Sequence, residues 1–556
     1  VREYRIIGPP GTGKTTFVAR QVEGWRSKYG PDEILIASFT KTAAREIASR
    51  NLDIVEHNVG TLHSVCYRLL GKPPLAQSHV KDWNEWVDPR VPSFKFGSSR
   101  SASLDDPLAD GLDEVEWSTP LAGDVAMSQA QTLRGKLADR STWPSTVLQF
   151  DELWQEWKDL HGLYDFTDLL ERCYLDYSAP AGIRIGCFDE VQDFSPLELA
   201  LIRKWREDLD GVALVGDPDQ CIYSFKGASP QAFLVPDIPK DDYRVLSQSH
   251  RVPASVHRLA VGWIEQSSWR YPFEYLPRAV EGAVEYRDGG SWLSLRTPDY
   301  VAREAAEYAR QGKTVMVLAS CGFHLAGVVA ELKKRGVPFH NPYQAERGDW
   351  NPLRGSGDRL SAFLSPVRPD LVGATYEPRL WKSTEMIRWA TDVRADGTFL
   401  RGGKEKLKAR ATDDSKIKNH QPLTLAELGW FMEPSALQPL SAALCGDEPW
   451  SWLDERLLPE ARRRMSYALE VARKNGALAL MQVPKVVIGT IHSVKGAQAD
   501  VVILAPDLSA SGHASWNGGP EPRDSVRRVF YVGMTRAQER LVLLGGMGAK
   551  VVQWNR

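Results

Sequence analysis

No stretch of this chain approaches the roughly 18 consecutive apolar residues that a membrane-spanning helix requires, so neither a transmembrane segment nor a membrane partner is expected. Cysteine is scarce too. The six present are scattered, without disulfide-framework or metal-ligand spacing, which points to free thiols in a reducing, cytoplasmic setting. A dominant charge is also missing. The formal net charge of −2 over 556 residues excludes a protein that coats nucleic acid by bulk charge, although a local basic groove is compatible with it. Only seven residues precede Gly8, leaving no room for a signal peptide. The chain opens on Val1 rather than methionine, as a trimmed start or an alternative start codon would leave it. What is present is ordinary: 43% apolar and 25% charged residues describe a soluble globular protein of about three or four domains.

The most informative segment is Gly8-Pro9-Pro10-Gly11-Thr12-Gly13-Lys14-Thr15-Thr16, placed between the apolar run Tyr4–Ile7 and a helix-like segment. Glycines let such a loop turn its N–H groups inward onto phosphates, and the helix that follows adds partial positive charge. Lys14 is then expected on the β- and γ-phosphates, and Thr15 on Mg²⁺. The loop predicts nucleoside triphosphate binding without saying what the energy does.

Further along, Ile34–Phe39 reads as a buried strand, followed by a helix-forming run from Thr40 to Ile47, and a capped helix begins at Gly60-Thr61-Leu62-His63-Ser64. The run Ile183–Phe188 reads as a strand ending in Asp189-Glu190-Val191-Gln192-Asp193, and Val212–Val215 as one ending in Gly216-Asp217-Pro218-Asp219-Gln220. Carboxylates at the C-terminal ends of parallel strands are where an α/β sheet presents its chemistry. Asp189 suits Mg²⁺ through water, and Glu190 suits the orientation and deprotonation of an attacking water.

These segments, with Ser38 to Ala44, Asp165-Phe166-Thr167-Asp168-Leu169-Leu170, Val215 to Ala228, Gln248-Ser249-His250-Arg251, Gly489 to Gly496 and Tyr531 to Ala537, together resemble the superfamily 1 DNA helicases of the UvrD/Rep/PcrA type. The resemblance implies an α/β fold with two RecA-like, parallel-sheet P-loop NTPase domains, each carrying a mainly helical insertion. It also implies ATP and Mg²⁺ in the cleft between them and 3′ to 5′ movement on single-stranded DNA. Carried over residue by residue, it makes Gln220 a γ-phosphate sensor and Arg251 and Arg536 arginine fingers, beside Lys14 and Glu190. It puts Phe39, Thr61, His63, Tyr223, Phe225, Thr490, His492 and Lys495 near the DNA track, where cationic or hydroxyl groups meet the backbone and aromatics meet bases.

Several positions depart from the pattern. Family members carry an adenine-reading glutamine motif well upstream of the loop, whereas only seven residues precede Gly8 here; His250 stands where an adenine-stacking tyrosine is usual, and Gly496-Ala497-Gln498 puts an amide where a ribose-binding carboxylate is usual. Phe225 replaces a tryptophan. The first three changes concern base and sugar, so a looser base preference is expected.

The expected organisation places the first RecA-like domain at 1–70 and 162–245, its accessory insertion at 71–161, the second RecA-like domain at 246–340 and 479–556, and its insertion at 341–478. In the first insertion, a Ser/Asp/Gly-rich stretch from Gly97 to Asp113 precedes helices over Met127–Leu137 and Ser145–Leu160. In the second, shorter than usual for the family, helices are expected over Leu360–Leu364, Leu425–Phe431 and Glu455–Arg473. Its basic run Arg401–Lys418 reads as a solvated loop, with a grip on duplex DNA as the alternative. Helices over Val301–Arg310 and Gly327–Lys334 alternate with strands over Thr314–Ala319, Val486–Thr490 and Val501–Leu504, and Arg540–Leu544 is read as the closing strand. The main expectation is an ATP-dependent 3′ to 5′ helicase acting on single-stranded and forked DNA in repair, replication or recombination, with loading or repair proteins as partners. A translocase that displaces proteins without unwinding, and an ATP-gated nucleic-acid-binding module, are the alternatives.

Overall fold

The computed structural model describes residues 2–39, 54–97, 121–287, 296–344, 348–365, 380–418, 420–444, 449–545 and 550–554. The helix expected over Thr40–Ile47 and all of the Gly97–Asp113 stretch beyond Gly97 lie outside them.

The first sheet is built from β1 (Arg2–Ile7), β2 (Ile34–Ser38), β3 (Val59–Thr61), β4 (Ile185–Asp189), β5 (Gly211–Gly216) and β6 (Tyr243–Val245), in the order β3-β2-β4-β5-β1-β6. Every pairing in it is parallel. β2, β4 and β5 are buried at every position, which is why their sequences are near-continuous apolar runs rather than alternating ones. This order sets the C-terminal ends of β4, β5 and β1 side by side, the edge at which such sheets bind ligands.

A short parallel pair, β7 (Gln248–Pro253) and β8 (Leu276–Arg278), leads into the second sheet. That sheet contains β9 (Ala283–Arg287), β10 (Val315–Ala319), β11 (Phe339–Gln344), β12 (Gly348–Trp350), β13 (Val486–Thr490), β14 (Ala499–Leu504) and β15 (Ala537–Leu544), ordered β12-β11-β13-β10-β14-β15-β9. It is parallel except for the β11–β12 pair. One apolar cluster joins the two sheets, running from Leu214, Tyr223 and Val256 to Ile491, Phe530 and Tyr531. The halves therefore share a core instead of hanging on a linker.

The helices Val80–Val87, Ala122–Gly135 and Ser145–His161 pack a separate aromatic core, with Trp83 set edge-on at 4.9 Å from Trp154 and 5.5 Å from Trp157. A further helical group between β12 and β13 closes around Phe363, Trp381, Trp389 and Trp452.

Four expectations are corrected. The basic run is not a loop: Gly403–Asp414 is a helix that buries Gly403, Leu407, Ala411 and Asp414 along one stripe while its Lys-rich face stays in water. The helix expected over Glu455–Arg473 is two, Pro449–Arg456 and Pro459–Asn475, because Pro459 lacks an N–H and starts a new helix at its first turn. Leu425–Phe431 is helical only over Leu425–Leu428. The strand at Arg540–Leu544 does not close the sheet, since β9 pairs along its outer side.

Because Trp83 is fully buried and touches most of its aromatic cluster, Trp83→Ala should cost about 3–5 kcal/mol. Urea denaturation followed by tryptophan fluorescence would show a lowered first midpoint. An unchanged midpoint would mean that this cluster does not hold the insertion together.

Candidate nucleotide cleft and strand track

The loop after β1 is pinned to its neighbour strand by Gly8 N–H, which donates to the Gly216 carbonyl at 3.0 Å. Close approach explains two of its glycines. A Cβ on Gly8 would lie 2.3 Å from Lys14 Cγ, and one on Gly11, whose φ is +76°, would lie 2.4 Å from Arg251 Cβ. The helix Lys14–Trp25 starts directly from the loop, so its unpaired N–H groups face the same space. Thr12 Oγ1 donates to the Pro9 carbonyl at 2.9 Å, and Lys14 Nζ to the Gly8 carbonyl at 2.7 Å. Thr15 follows in the first helical turn.

Opposite this loop stand buried carboxylates. Asp189 ends β4 and accepts the Glu190 N–H at 2.9 Å. Glu190 itself is left-handed, with φ 56° and ψ 35°, a conformation that costs a non-glycine residue about 1–2 kcal/mol and is found where a site fixes a side chain. Its carboxylate accepts from Gln192 Nε2 at 2.5 Å and lies 3.2 Å from Lys495 Nζ. Burial alone would raise its pKa, but Lys495 and Lys14 together bring it down to about 2. As held here it is ionised, an acceptor that can orient a water.

Gln192 ties the two strand ends together, because its Oε1 accepts the Asp217 N–H at 2.9 Å. Asp217, fully buried after β5, accepts Gln220 Nε2 at 2.6 Å. Gln192 stood in the acidic run without a role, and only its place there signalled it.

Two cations enter from the second sheet. Lys495 bonds to Asp193 and to the Gln220 carbonyl at 3.0 Å. Burial would lower its pKa, and Asp193 and Glu190 raise it instead, keeping the ammonium charged. Arg536 follows the helix Pro520–Met534 and donates from Nη2 to Gln220 Oε1 at 3.1 Å, from Nε to Val532 O at 2.9 Å and from Nη1 to Ala497 O at 3.2 Å. Burial and the nearby Arg251 pull it down to about 9, so it stays charged at neutral pH.

β7 seats against the phosphate loop. His250 N–H donates to Gly11 O at 2.8 Å, and Ser249 Oγ to Pro10 O at 2.9 Å. The His250 side chain is exposed, and Arg251 Nε donates to Gln498 Oε1 at 2.8 Å. Tyr275 OH also donates to Pro10 O at 2.9 Å, a contact with no sequence signal.

Of the residues read as strand contacts, four come together across the two sheets. Tyr223 lies 5.0 Å from Phe39, 5.9 Å from Phe225 and 5.8 Å from His492, ring centre to ring centre. Phe39 and Tyr223 are buried, whereas Phe225 is 58% exposed, with Tyr223 and His492 edge-on to it. Other candidates are engaged differently. Thr61 caps the helix Leu62–Leu69 by accepting the Ser64 N–H at 3.2 Å, and Thr490 accepts the Ser493 N–H at 3.2 Å. Lys495, although 5.4 Å from the Tyr223 ring centre, has its ammonium among carboxylates. His63 is edge-on to Phe166 and 3.8 Å from Glu198, and burial, then Lys226, lowers it to about 4.

Residues 2–237 match the UvrD/REP helicase N-terminal domain family, and residues 485–544 the UvrD-like helicase C-terminal domain family. The chain belongs to the UvrD/Rep-type superfamily 1 helicases. It is 26% identical to ATP-dependent DNA helicase UvrD2 of Mycobacterium tuberculosis (strain H37Rv), over 97% of this chain and 76% of that protein. It is 28% identical to DNA helicase II of Escherichia coli K12, over 97% of this chain and 81% of that protein. With ATP-dependent DNA helicase SRS2 of Saccharomyces cerevisiae it shares 26% identity over 42% of this chain and 23% of the relative.

The residues of this UvrD-type cleft fit a triphosphate with Mg²⁺. Glycines clear the loop, Lys14 and the helix start supply positive charge, and the buried Ser38 Oγ, paired in register beside Asp189, has no hydrogen-bond partner. Among the described residues no three or more His, Cys, Asp or Glu converge as a metal cluster. No described helix is long and apolar enough to cross a membrane.

On the helix Pro196–Arg206, beside His63, burial raises Glu198 to about 7 against the bonds from Ser195. Its folded-state pKa exceeds the ordinary carboxylate value, so its contribution is fully present below about pH 4.3 and is lost as pH rises toward 7. Glu198→Gln should therefore become progressively more stable than wild type between those limits, and the difference should be flat above them. Melting curves of both proteins across pH 4–8 would test this; a constant difference would mean that Glu198 is not desolvated.

Proposed function

We propose that this ATP-dependent DNA helicase of the UvrD type translocates 3′ to 5′ along single-stranded DNA and unwinds duplex, in repair, replication or recombination. The observation that carries the reading is the position of Gln220, bonded at once to Asp217 of the first sheet and to Arg536 of the second. A group at the nucleotide's edge that touches both halves can convert the presence of a γ-phosphate into their relative position.

In this reading Gly8 to Thr16 wrap the phosphates, Lys14 sits on the β- and γ-oxygens, and Thr15 and Asp189 hold Mg²⁺, which neutralises phosphate charge when bound. Glu190 orients and deprotonates the attacking water. Arg536 and Arg251 turn toward charge developing on the transferred group, and His250 and Gln498 face base and ribose. Phe225 stacks on bases, with Phe39, Tyr223 and His492 beneath and beside it and Thr61, His63, Thr490 and Lys495 flanking the track. Residues 1–70 with 162–245, and 246–340 with 479–556, form the two RecA-like domains, with insertions at 71–161 and 341–478.

Strand separation on duplexes carrying a 3′ or a 5′ single-stranded tail tests the reading. Unwinding is expected only from the 3′ tail, and unwinding from the 5′ tail would overturn the polarity. Absence of unwinding with DNA-stimulated hydrolysis intact would leave a translocase. Glu190→Gln should bind nucleotide and DNA but lose about 10²-fold or more in turnover, and Lys14→Ala should lose nucleotide affinity as well. Normal hydrolysis by either variant would sink the site assignment. DNA affinity should fall with salt at a log–log slope of about −0.7 per phosphate neutralised.

The base-side departures predict that GTP or CTP supports DNA-stimulated hydrolysis at an appreciable fraction of the ATP rate. Rates with each nucleotide at saturation would decide it, and near-complete preference for ATP would refute the idea.

A further inference from the structure

Asp165 and Asp168 belong to a sequence motif that the nucleotide cleft does not use. Asp165 caps the helix Phe166–Asp176, accepting the Asp168 N–H at 2.8 Å, and both carboxylates receive cations from the first helical insertion. Lys158 Nζ lies 2.7 Å from Asp165 and 2.5 Å from Asp168. Arg134 spreads its guanidinium over three carboxylates, 2.9 Å from Asp165, 2.6 Å from Asp168 and 2.5 Å from Glu171. Trp154 Nε1 completes the set at 2.9 Å from Asp165. The Lys158 and Asp165 side chains are wholly buried and Arg134 is 8% exposed. A buried ion cluster of this kind contributes little net stability, but its directional bonds fix geometry.

The geometry it fixes is the last turn of the Ala122–Gly135 helix. That turn also carries the Ser224–Gly227 turn on which Phe225 is mounted. The Thr132 hydroxyl, shared with Ser128 O at 2.8 Å, is 3.0 Å from Phe225 O. A Cβ on Gly227, whose φ is +96°, would come within 3.2 Å of Thr132 O, and one on Gly135 would lie 3.8 Å from Lys226 O. The turn thus lies flat on the helix end, with the exposed Phe225 ring next to His492.

We propose that Arg134 is a positioning residue for single-strand binding: by locking the last turn of the Ala122–Gly135 helix onto Asp165 and Asp168, it sets the pose in which Phe225 meets a base. The inference rests on the reading of Phe225 as a stacking residue.

The test uses the full chain and measures ATP hydrolysis against oligo(dT) concentration. Arg134→Gln should raise the half-saturating DNA concentration about five- to tenfold, the scale of a weakened base–aromatic stack, with the DNA-free rate and the rate at saturating DNA unchanged. Arg134→Lys keeps the charge but loses the fork, and should fall between. Thr132→Val leaves the ion cluster intact and should shift the same curve about two- to threefold; it carries the test if Arg134→Gln does not fold. In a Phe225→Ala background neither change should add further weakening. Equal shifts with and without Phe225, or a loss of DNA-free turnover, would overturn the proposal. If Phe225→Ala alone leaves the DNA dependence unchanged, the stacking reading fails. If Phe225→Ala weakens binding while folded Arg134→Gln and Thr132→Val do not, only this inference fails.

Discussion

Burial of like charge at the ends of β4 and β5 is the constraint around which this molecule is arranged. Asp189, Asp193 and Asp217 are all nearly inaccessible, and Glu190 is only partly exposed beside them. Each ionised carboxylate taken from water costs several kcal/mol unless cations and donors compensate it. The first sheet supplies Lys14 and the amide of Gln192, which are too few. Lys495 and Arg536 come from the second sheet, and they bond to Asp193, Glu190 and Gln220. The chemistry-bearing edge of one sheet is therefore electrostatically incomplete without the other, and the apolar cluster shared by both sheets holds the two edges in register.

This arrangement also keeps the acidic strand ends and the aromatic cluster within a few residues of each other. Gln220 bonds to Asp217 just after β5, and Tyr223 and Phe225, three and five residues beyond Gln220, belong to the aromatic cluster. On the other side, Thr490 and His492 precede Lys495 in the same way. Both segments are short, irregular and tethered at each end by a strand or by a bond across the cleft, so neither can shift at one end without the other. In the proposed reading, coupling between hydrolysis and strand movement needs no long relay, only two arrangements of these segments that bind phosphate differently.

Much of this was legible in the sequence where one residue type has a single physical use. Continuous apolar runs announced β2, β4 and β5 because strands buried on both faces admit little else, and the phosphate loop announced itself because backbone approaches too closely there for side chains. What stayed hidden depends on distant partners. Tyr275 looks like any core tyrosine until β8 brings its hydroxyl to Pro10. The placement of Lys495 among carboxylates is decided by β13, some three hundred residues from Asp193. The lysines of Gly403–Asp414 dominate its sequence and suggest a loop, whereas three small or apolar contacts and the bonded carboxylate of Asp414, at helical spacing, decide its structure.

The departures on the base side acquire a physical sense from Arg251. Its Nε donates to the amide oxygen of Gln498. A carboxylate at that position could make a charge-assisted, two-pronged pair, about twice as strong as a bond to a neutral amide. With an amide this one bond is neutral at the acceptor. In the proposed reading, the position expected at the ribose and the cation expected at the phosphate are thus bonded to each other. His250, next to Arg251, is exposed to solvent, whereas the groups around the phosphate loop, Lys14, Ser249 and Tyr275, are all bonded within it.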